Sequence, residues 1–123
     1  MPFYLKLDQK TWASGDYVNT NAYALTGTIY SDEALSSAQS LSGYTLKIKI
    51  YPKERPDWYI VSEDAEIVSA GAGTWRYKPT INKIDIQGVY RVVIQCSATD
   101  ERISAVGIKG SDELLVRSVP TIT

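Results

Sequence analysis

Hydrophobic and polar residues alternate along residues 41–52, and this alternation is the clearest structural signal in the chain. The positions on the apolar side are Tyr44, Leu46, Ile48 and Ile50. The positions between them are mostly polar and comprise Thr45, Lys47, Lys49 and Tyr51. A period of two residues is typical of a β-strand with one buried and one solvated side. Because Ser42-Gly43 precedes the pattern and Pro52 follows it, the strand is predicted to begin and end within this segment.

A second long segment, residues 88–97, shows the same period. Its apolar side holds Tyr90, Val92, Ile94 and Cys96, while Arg91 and Gln95 alternate with them. Shorter segments with strand character are residues 3–7, 22–30, 58–61, 65–68, 74–78, 102–108 and 113–117. Turn-forming residues separate these segments, and the one stretch with helical character, 31–40, is too short for a stable helix. The chain is therefore predicted to be all-β with about seven to nine strands.

Two half-buried strands require a common core, so residues 1–123 are predicted to form a single domain. Many short strands at about ten-residue spacing are typical of two antiparallel sheets packed face to face. The side chains predicted to fill the core between them are Leu46, Ile48, Trp75, Tyr77, Tyr90, Val92 and Ile94.

The charge distribution argues against polyanionic partners. Thirteen basic and fourteen acidic residues give a formal net charge of -1, and the two signs are interspersed along the chain. Neither a nucleic acid nor an anionic membrane is expected to bind, because both select clustered positive charge. The N-terminal residues lack the apolar run of a signal peptide, and no later segment resembles a membrane span. The sequence predicts a protein that stays in the cytoplasm or assembles there.

Residues suited to catalysis are scarce. The chain has no histidine, which removes the commonest general base and metal ligand. The acidic groups at Glu63-Asp64-Glu66 and Asp100-Glu101 fall in predicted turns, where solvated charge is the ordinary explanation. Cys96 lies on an apolar strand face and is predicted to be a buried thiol. No catalytic, metal-binding or cofactor-binding residue is predicted.

Aromatic residues are the remaining candidates for a binding site, since the chain has nine tyrosines, three tryptophans and one phenylalanine. Most of them alternate into the predicted core. Trp12, Trp58 and Tyr59 do not, and exposed aromatic rings can anchor a partner protein or stack on a sugar. The alternative is that they pack at the edge of the core under loops.

Several segments resemble immunoglobulin-like domains. Residues 85–92 (DIQGVYRV) resemble the start of the penultimate strand of such sandwiches, in which a tyrosine, here Tyr90, hydrogen-bonds back to the preceding corner. The position of the second antibody cysteine is occupied by Val92, so an antibody-type disulfide is absent. Residues 41–50, 73–77 and 88–92, in this order, resemble blocks of the N-terminal immunoglobulin-like domain of phage baseplate upper proteins, and residues 100–103 resemble the hairpin turn that follows.

This resemblance extends over about residues 15–117 and implies an immunoglobulin-like β-sandwich. It also implies a non-catalytic structural or adaptor role in a phage or prophage tail. The expected partners are other virion or tail proteins, or further copies of the chain, and the expected location is the virion, or the host cytoplasm before assembly. The alternative hypothesis is a carbohydrate-binding module that uses Trp12, Trp58 and Tyr59, because sandwiches with exposed aromatic rings are suited to stacking on sugars.

Overall fold

A computed structural model of the chain describes residues 3–8, 11–13, 25–78, 88–108 and 110–117. The strands in this part are β1 (Phe3–Leu7), β2 (Thr11–Ala13), β3 (Leu25–Tyr30), β4 (Thr45–Pro52), β5 (Val61–Ser69), β6 (Thr74–Tyr77), β7 (Gly88–Ala98), β8 (Glu101–Gly107) and β9 (Glu113–Arg117). No helix occurs in the described ranges. The prediction of an all-β chain is confirmed.

Seven of the strands form a closed hydrogen-bonded ring. Their order is β7-β4-β5-β6-β3-β1-β8, and β8 pairs with β7 to complete the circle. Most pairs are antiparallel, but β1 runs parallel to β8. The pair β9 and β2 extends from the first residues of β7, since Gly88 to Arg91 pair with β9. The structure therefore differs from the predicted pair of separate sheets, because hydrogen bonds continue around the whole circumference.

Strand β5 makes part of this closure possible. Its residues from Val61 to Ala65 pair with β4, whereas those from Glu66 to Ser69 pair with β6. A register irregularity between Ile67 and Ser69 marks the second half, and such bulges bend a strand. The sequence predicted two short strands, 58–61 and 65–68, with a turn between them. This prediction is wrong, because residues 61–69 form one continuous strand. The polar side chains in its middle either point outward or make a hydrogen bond, so they do not interrupt the strand.

The core fills the interior of the ring. All seven predicted core residues are buried, and Ile48, Trp75, Val92 and Ile94 are completely inaccessible. Further buried side chains come from β1, β3 and the loop before β4, among them Leu5, Ile29 and Leu41. Alternation along a strand is thus a reliable guide to its inward side here.

A close contact between β3 and β6 makes room for the central tryptophan. Gly27 is directly opposite Trp75 in the antiparallel register. A Cβ atom at position 27 would lie 2.7 Å from Cζ2 of Trp75 and 2.6 Å from the backbone oxygen of Lys6. The absence of a side chain at Gly27 therefore allows the indole to pack closely against the strand.

The short strand β2 was missed by the sequence pattern, because three residues are too few to show a period.

Two predictions fall partly outside the described residues. Residues 22–24, at the start of the predicted strand 22–30, lie outside the described residues, as do residues 85–87, which would form the corner predicted to receive the Tyr90 hydroxyl. Tyr90 itself is buried, as predicted.

Candidate binding surface

The loop between β4 and β5 holds two large exposed aromatic side chains. Its turns are fixed by backbone hydrogen bonds: the amide of Arg55 donates to the carbonyl of Pro52 at 2.9 Å, and the amide of Trp58 donates to the carbonyl of Arg55 at 3.0 Å. The amide of Ile60 then donates to the carbonyl of Ile50 at 2.9 Å, which returns the chain to the sheet. These turns place Trp58 and Tyr59 at the surface, where they are 51% and 47% exposed.

Each of these rings has a cation beside it. The guanidinium carbon of Arg55 lies 5.3 Å from the centre of the Trp58 ring, and Nζ of Lys49 lies 5.0 Å from the centre of the Tyr59 ring. Tyr59 also meets Tyr51 edge to face, with ring centres 5.6 Å apart. We call Tyr51, Trp58 and Tyr59 the aromatic patch. Cation–π and edge-to-face contacts hold its rings in fixed orientations without burying them.

The third predicted aromatic residue, Trp12, is on β2. Its backbone is opposite Val116 of β9 in a parallel register. The structure describes this backbone but not the indole, so the predicted role of the Trp12 side chain lies outside the described part. Trp58 and Tyr59 are therefore the predicted residues whose side chains the structure describes, and both are exposed.

A polar groove lies on the outer surface of β5, β4, β7 and β8. It encloses about 330 Å³ and is lined by Thr45, Leu46, Lys47, Lys49, Asp64, Gln95, Ser97 and Arg102. The registers explain this grouping, because Lys47 is opposite Gln95 on one side and Asp64 on the other. Arg102 is opposite Ser97, one strand further along. Lys49 connects the groove with the aromatic patch through its contact with Tyr59.

The charged side chains that line the groove, apart from Lys49, have no polar partner among the residues that the structure describes. Lys47, Gln95 and Arg102 make no side-chain hydrogen bond or ion pair to any described residue, and neither does Asp64. Three cations and one carboxylate among the lining residues leave an excess of positive charge. Unpaired polar groups at the wall of a groove are free to bind a ligand without first breaking internal contacts.

The acidic residues considered as catalytic candidates are not brought together. Glu63 points inward and accepts a hydrogen bond of 2.9 Å from the hydroxyl of Tyr77. Asp64 points outward into the groove, and Glu66 pairs with Arg76 at 2.8 Å. Burial, followed by the contact with Glu63, raises the pKa of Tyr77 above its usual value. These carboxylates therefore have three separate surroundings and form no shared site.

The second acidic pair is also divided. Asp100 is exposed in the turn after β7, and Glu101 accepts a hydrogen bond from the hydroxyl of Tyr44. This hydrogen bond is the main reason why the pKa of Tyr44 is raised. The contact joins β8 to the residue that precedes β4, so the role of Glu101 is to stabilise the fold.

A charged cluster that the sequence did not indicate lies where β7 meets β9. Glu113 accepts from Nζ of Lys53 at 2.8 Å and lies 3.6 Å from Arg91. Asp112 is buried, and this burial raises the pKa of its carboxyl group, although Arg91 lies 3.9 Å away. Asp112 also occupies the space beside Gly107, where a Cβ atom would clash with its carboxylate. The cluster joins β7 and the start of the β4–β5 loop to the turn before β9.

Other chemical groups give no candidate site in the described residues. Cys96 is buried, and burial raises the pKa of its thiol to about 12, so the reactive thiolate is strongly disfavoured. No group of three or more potential metal ligands occurs in the described part of the chain. No helix in the described ranges is long and apolar enough to cross a membrane.

The sequence indicated the aromatic patch but not the groove. Lys47 and Gln95 were each recognised as outward residues of long strands, but their proximity depends on the pairing of β4 with β7. Arg102 was assigned to a strand whose neighbour was unknown.

No family model matches the chain, and no match was found among curated proteins.

Proposed function

We propose that the chain is a non-catalytic structural or adaptor protein of a phage or prophage tail, which contacts other tail proteins through its aromatic patch. The main supporting observation is the exposure of Trp58 and Tyr59, which are about half accessible on a loop with fixed turns. Trp, Tyr and Arg are the residues that most often dominate protein–protein binding energy. All three residue types are present here, because Arg55 lies over the Trp58 ring.

The order of the strands supports an immunoglobulin-like sandwich, the fold that the tail hypothesis requires. Such a domain has neighbouring strands A-B-E-D in one sheet and C-F-G in the other. Lettering the seven ring strands in chain order gives β1-β3-β6-β5 for the first sheet and β4-β7-β8 for the second, and both orders occur here. We propose that the pairs β4–β5 and β1–β8 join the edges of two such sheets and so close the ring.

Two further observations favour a binding role over an enzymatic one. The sequence contains no histidine, and the acidic residues Glu63, Asp64 and Glu66 have different hydrogen-bond partners and orientations. The ordered sequence resemblance to baseplate upper proteins supports the phage setting. Tail proteins assemble in the host cytoplasm and end in the virion, which is the location we propose.

The genes beside this one provide a first test. Tail, baseplate or lysis genes on both sides are expected, and metabolic genes there would contradict the proposal. A biochemical test follows from co-expression with the neighbouring tail proteins and purification of the resulting complex. Trp58→Ala should weaken the complex by about 2 kcal/mol, or roughly 30-fold, if the indole is a principal contact.

Val68→Ala provides the matched control for this test. Val68 is 53% exposed on β5 and is not part of the aromatic patch, so its truncation should leave the complex intact. Equal losses for both variants, or a complex that survives Trp58→Ala unchanged, would contradict a contact through the aromatic patch.

The alternative function is carbohydrate binding at the same aromatic patch, and the solvent-facing rings favour it. A sugar ring requires an aromatic face together with nearby groups that bind hydroxyls. In the structure the cations of Arg55 and Lys49 lie over Trp58 and Tyr59, which fits a protein interface better. Titration with a panel of neutral glycans, followed by tryptophan fluorescence, distinguishes the two. Saturable binding that Trp58→Ala abolishes would favour the carbohydrate-binding module.

A further inference from the structure

We propose that the polar groove on β5, β4, β7 and β8 binds an acidic saccharide, with Lys47 and Arg102 holding its anionic group. The groove adjoins the aromatic patch at Lys49. Lys47 and Arg102 are not part of that patch, so the saccharide proposal and the tail proposal can be tested with different variants. The groove residues came from four different strands, so no segment of the sequence indicated them as a site.

The positions of the charges define the ligand. Arg102 lies on β8 at one side of the groove, Lys47 lies on β4 in the middle, and Asp64 lies on β5 at the other side. A carboxylate, sulfate or phosphate group is expected to bind between Arg102 and Lys47, over β7, because Asp64 lies on the opposite side of Lys47. Hydroxyl groups on the remainder of the ligand can donate to the Asp64 carboxylate and exchange hydrogen bonds with Gln95.

The lining of the groove excludes ligands that need an apolar pocket. Seven of its eight residues are polar or charged, and the exception, Leu46, is buried beneath the floor. A volume of about 330 Å³ is at the lower end of the range for small-molecule sites. A hydroxyl-rich ligand with one or two sugar rings fits this size and polarity.

An acidic peptide segment fits the groove less well. Peptides commonly bind to a sheet by adding a strand to an open edge. Each strand under the groove already has a neighbour on both sides, since β5 lies between β4 and β6, and β8 lies between β7 and β1. We therefore infer a saccharide and treat an acidic peptide as an outcome of the test.

The test is calorimetric titration of the full chain with an oligogalacturonate of two residues. The methyl ester of the same oligosaccharide serves as the uncharged probe, and a glutamate oligomer of equal charge represents the acidic peptide. The oligogalacturonate should bind, while the ester and the glutamate oligomer should bind at least tenfold more weakly. Equal binding of either one would overturn the proposal, as would no binding of the oligogalacturonate.

Matched variants locate the binding. Lys47→Gln and Arg102→Gln should each lower the affinity for oligogalacturonate on the order of tenfold, because each removes a charge-assisted hydrogen bond. Lys6→Gln makes the same change in net charge at an exposed position on β1 and should alter the affinity less than twofold. An equal loss in Lys6→Gln would mean non-specific attraction and would overturn the proposal.

The Trp58→Ala variant separates this proposal from those made for the aromatic patch. It should retain oligogalacturonate binding, because Trp58 does not line the groove. Loss of that binding in Trp58→Ala would place the saccharide at the aromatic patch and overturn the groove site. Loss of the tail complex in Trp58→Ala, with oligogalacturonate binding intact, would support both proposals.

Discussion

The two sides of β4 make different contributions to the protein. On the inward side, Ile48 and Ile50 are completely buried and Leu46 is nearly so. On the outward side, Lys47 is exposed and has no ion pair or side-chain hydrogen bond among the described residues. Successive residues of one strand therefore serve separate purposes, since the inward set stabilises the fold and the outward set is available to a ligand.

The strongest test of this difference places the same charge on both sides of the strand. Ile48→Asp buries a carboxylate without a partner and should lower the free energy of unfolding by several kcal/mol, about 4 or more. Lys47→Asp should lower it by about 1 kcal/mol or less, because the residue is exposed and the only added cost is repulsion from Asp64 on the neighbouring strand. Denaturant titration measures both, and equal losses would contradict the assigned register.

The contact between Gly27 and Trp75 tests the inward side by adding volume. Gly27→Ala places a methyl group 2.7 Å from the indole and 2.6 Å from a backbone oxygen, so the free energy of unfolding should fall by about 1–3 kcal/mol. In Gly71→Ala the added methyl group meets nothing within 4 Å. That control should unfold like the unmodified protein, and thermal unfolding of the two variants would show a difference.

The Tyr77 hydroxyl tests a polar contact on the inward side. Tyr77→Phe leaves the half-buried Glu63 with one donor fewer and should cost about 1 kcal/mol near neutral pH. Because the folded protein raises the pKa of Tyr77 above its usual value of 10, its contribution is complete below pH 10 and is lost as the pH rises further. The variant should therefore lose less stability than the unmodified protein above pH 10.

Tyr59→Phe is the control for this alkaline effect. Tyr59 is 47% exposed on the outward side, and its replacement should leave the pH dependence of unfolding in place. If both variants had the same profile above pH 10, the burial of Tyr77 and its contact with Glu63 would not be responsible.

The smallest effect is expected for the ion pair of Glu66 on the outer surface. Its hydrogen bond from Arg76, with a smaller contribution from Lys78, lowers the pKa of Glu66 below its usual value near 4.5. A carboxyl group with a lowered pKa stabilises the fold above the unfolded-state value, and this contribution is lost as the pH falls. Glu66→Gln should therefore flatten the acid limb of a stability profile slightly below pH 5, whereas Glu54→Gln, in the exposed loop, should not.

The sequence predicted the inward residues well because burial imposes a period on them. Ile48, Trp75 and Ile94 were assigned to the core from alternation alone, and all three are inaccessible to solvent. The closure of the ring could not be predicted in this way, because the parallel pair β1–β8 joins segments about a hundred residues apart. The sequence pattern divided β5 into two strands in error, because a polar residue at an inward position was taken as a turn. Glu63 is tolerated there because it accepts a hydrogen bond from Tyr77 on β6, and this partner is not apparent from the local sequence.

The candidate surfaces show the same contrast. Trp58 and Tyr59 could be identified locally, because they follow a proline-rich charged loop and do not fit an inward pattern. The groove required knowledge of which strands are neighbours: Lys47, Gln95 and Arg102 are up to 55 residues apart in the sequence and line the same cavity. Residues that stabilise the core are constrained by local period, whereas residues that form a surface site are constrained by pairing.

One measurement compares fold and binding in the same sample. The triple variant Lys47→Gln, Trp58→Ala, Arg102→Gln removes groups from both candidate surfaces and none from the core. Its free energy of unfolding, measured by denaturant titration, should lie within about 1 kcal/mol of the unmodified protein, while binding of the tail partner and of oligogalacturonate should both be lost. A loss of several kcal/mol, or retention of both binding activities, would contradict the assignment of these outward residues to binding.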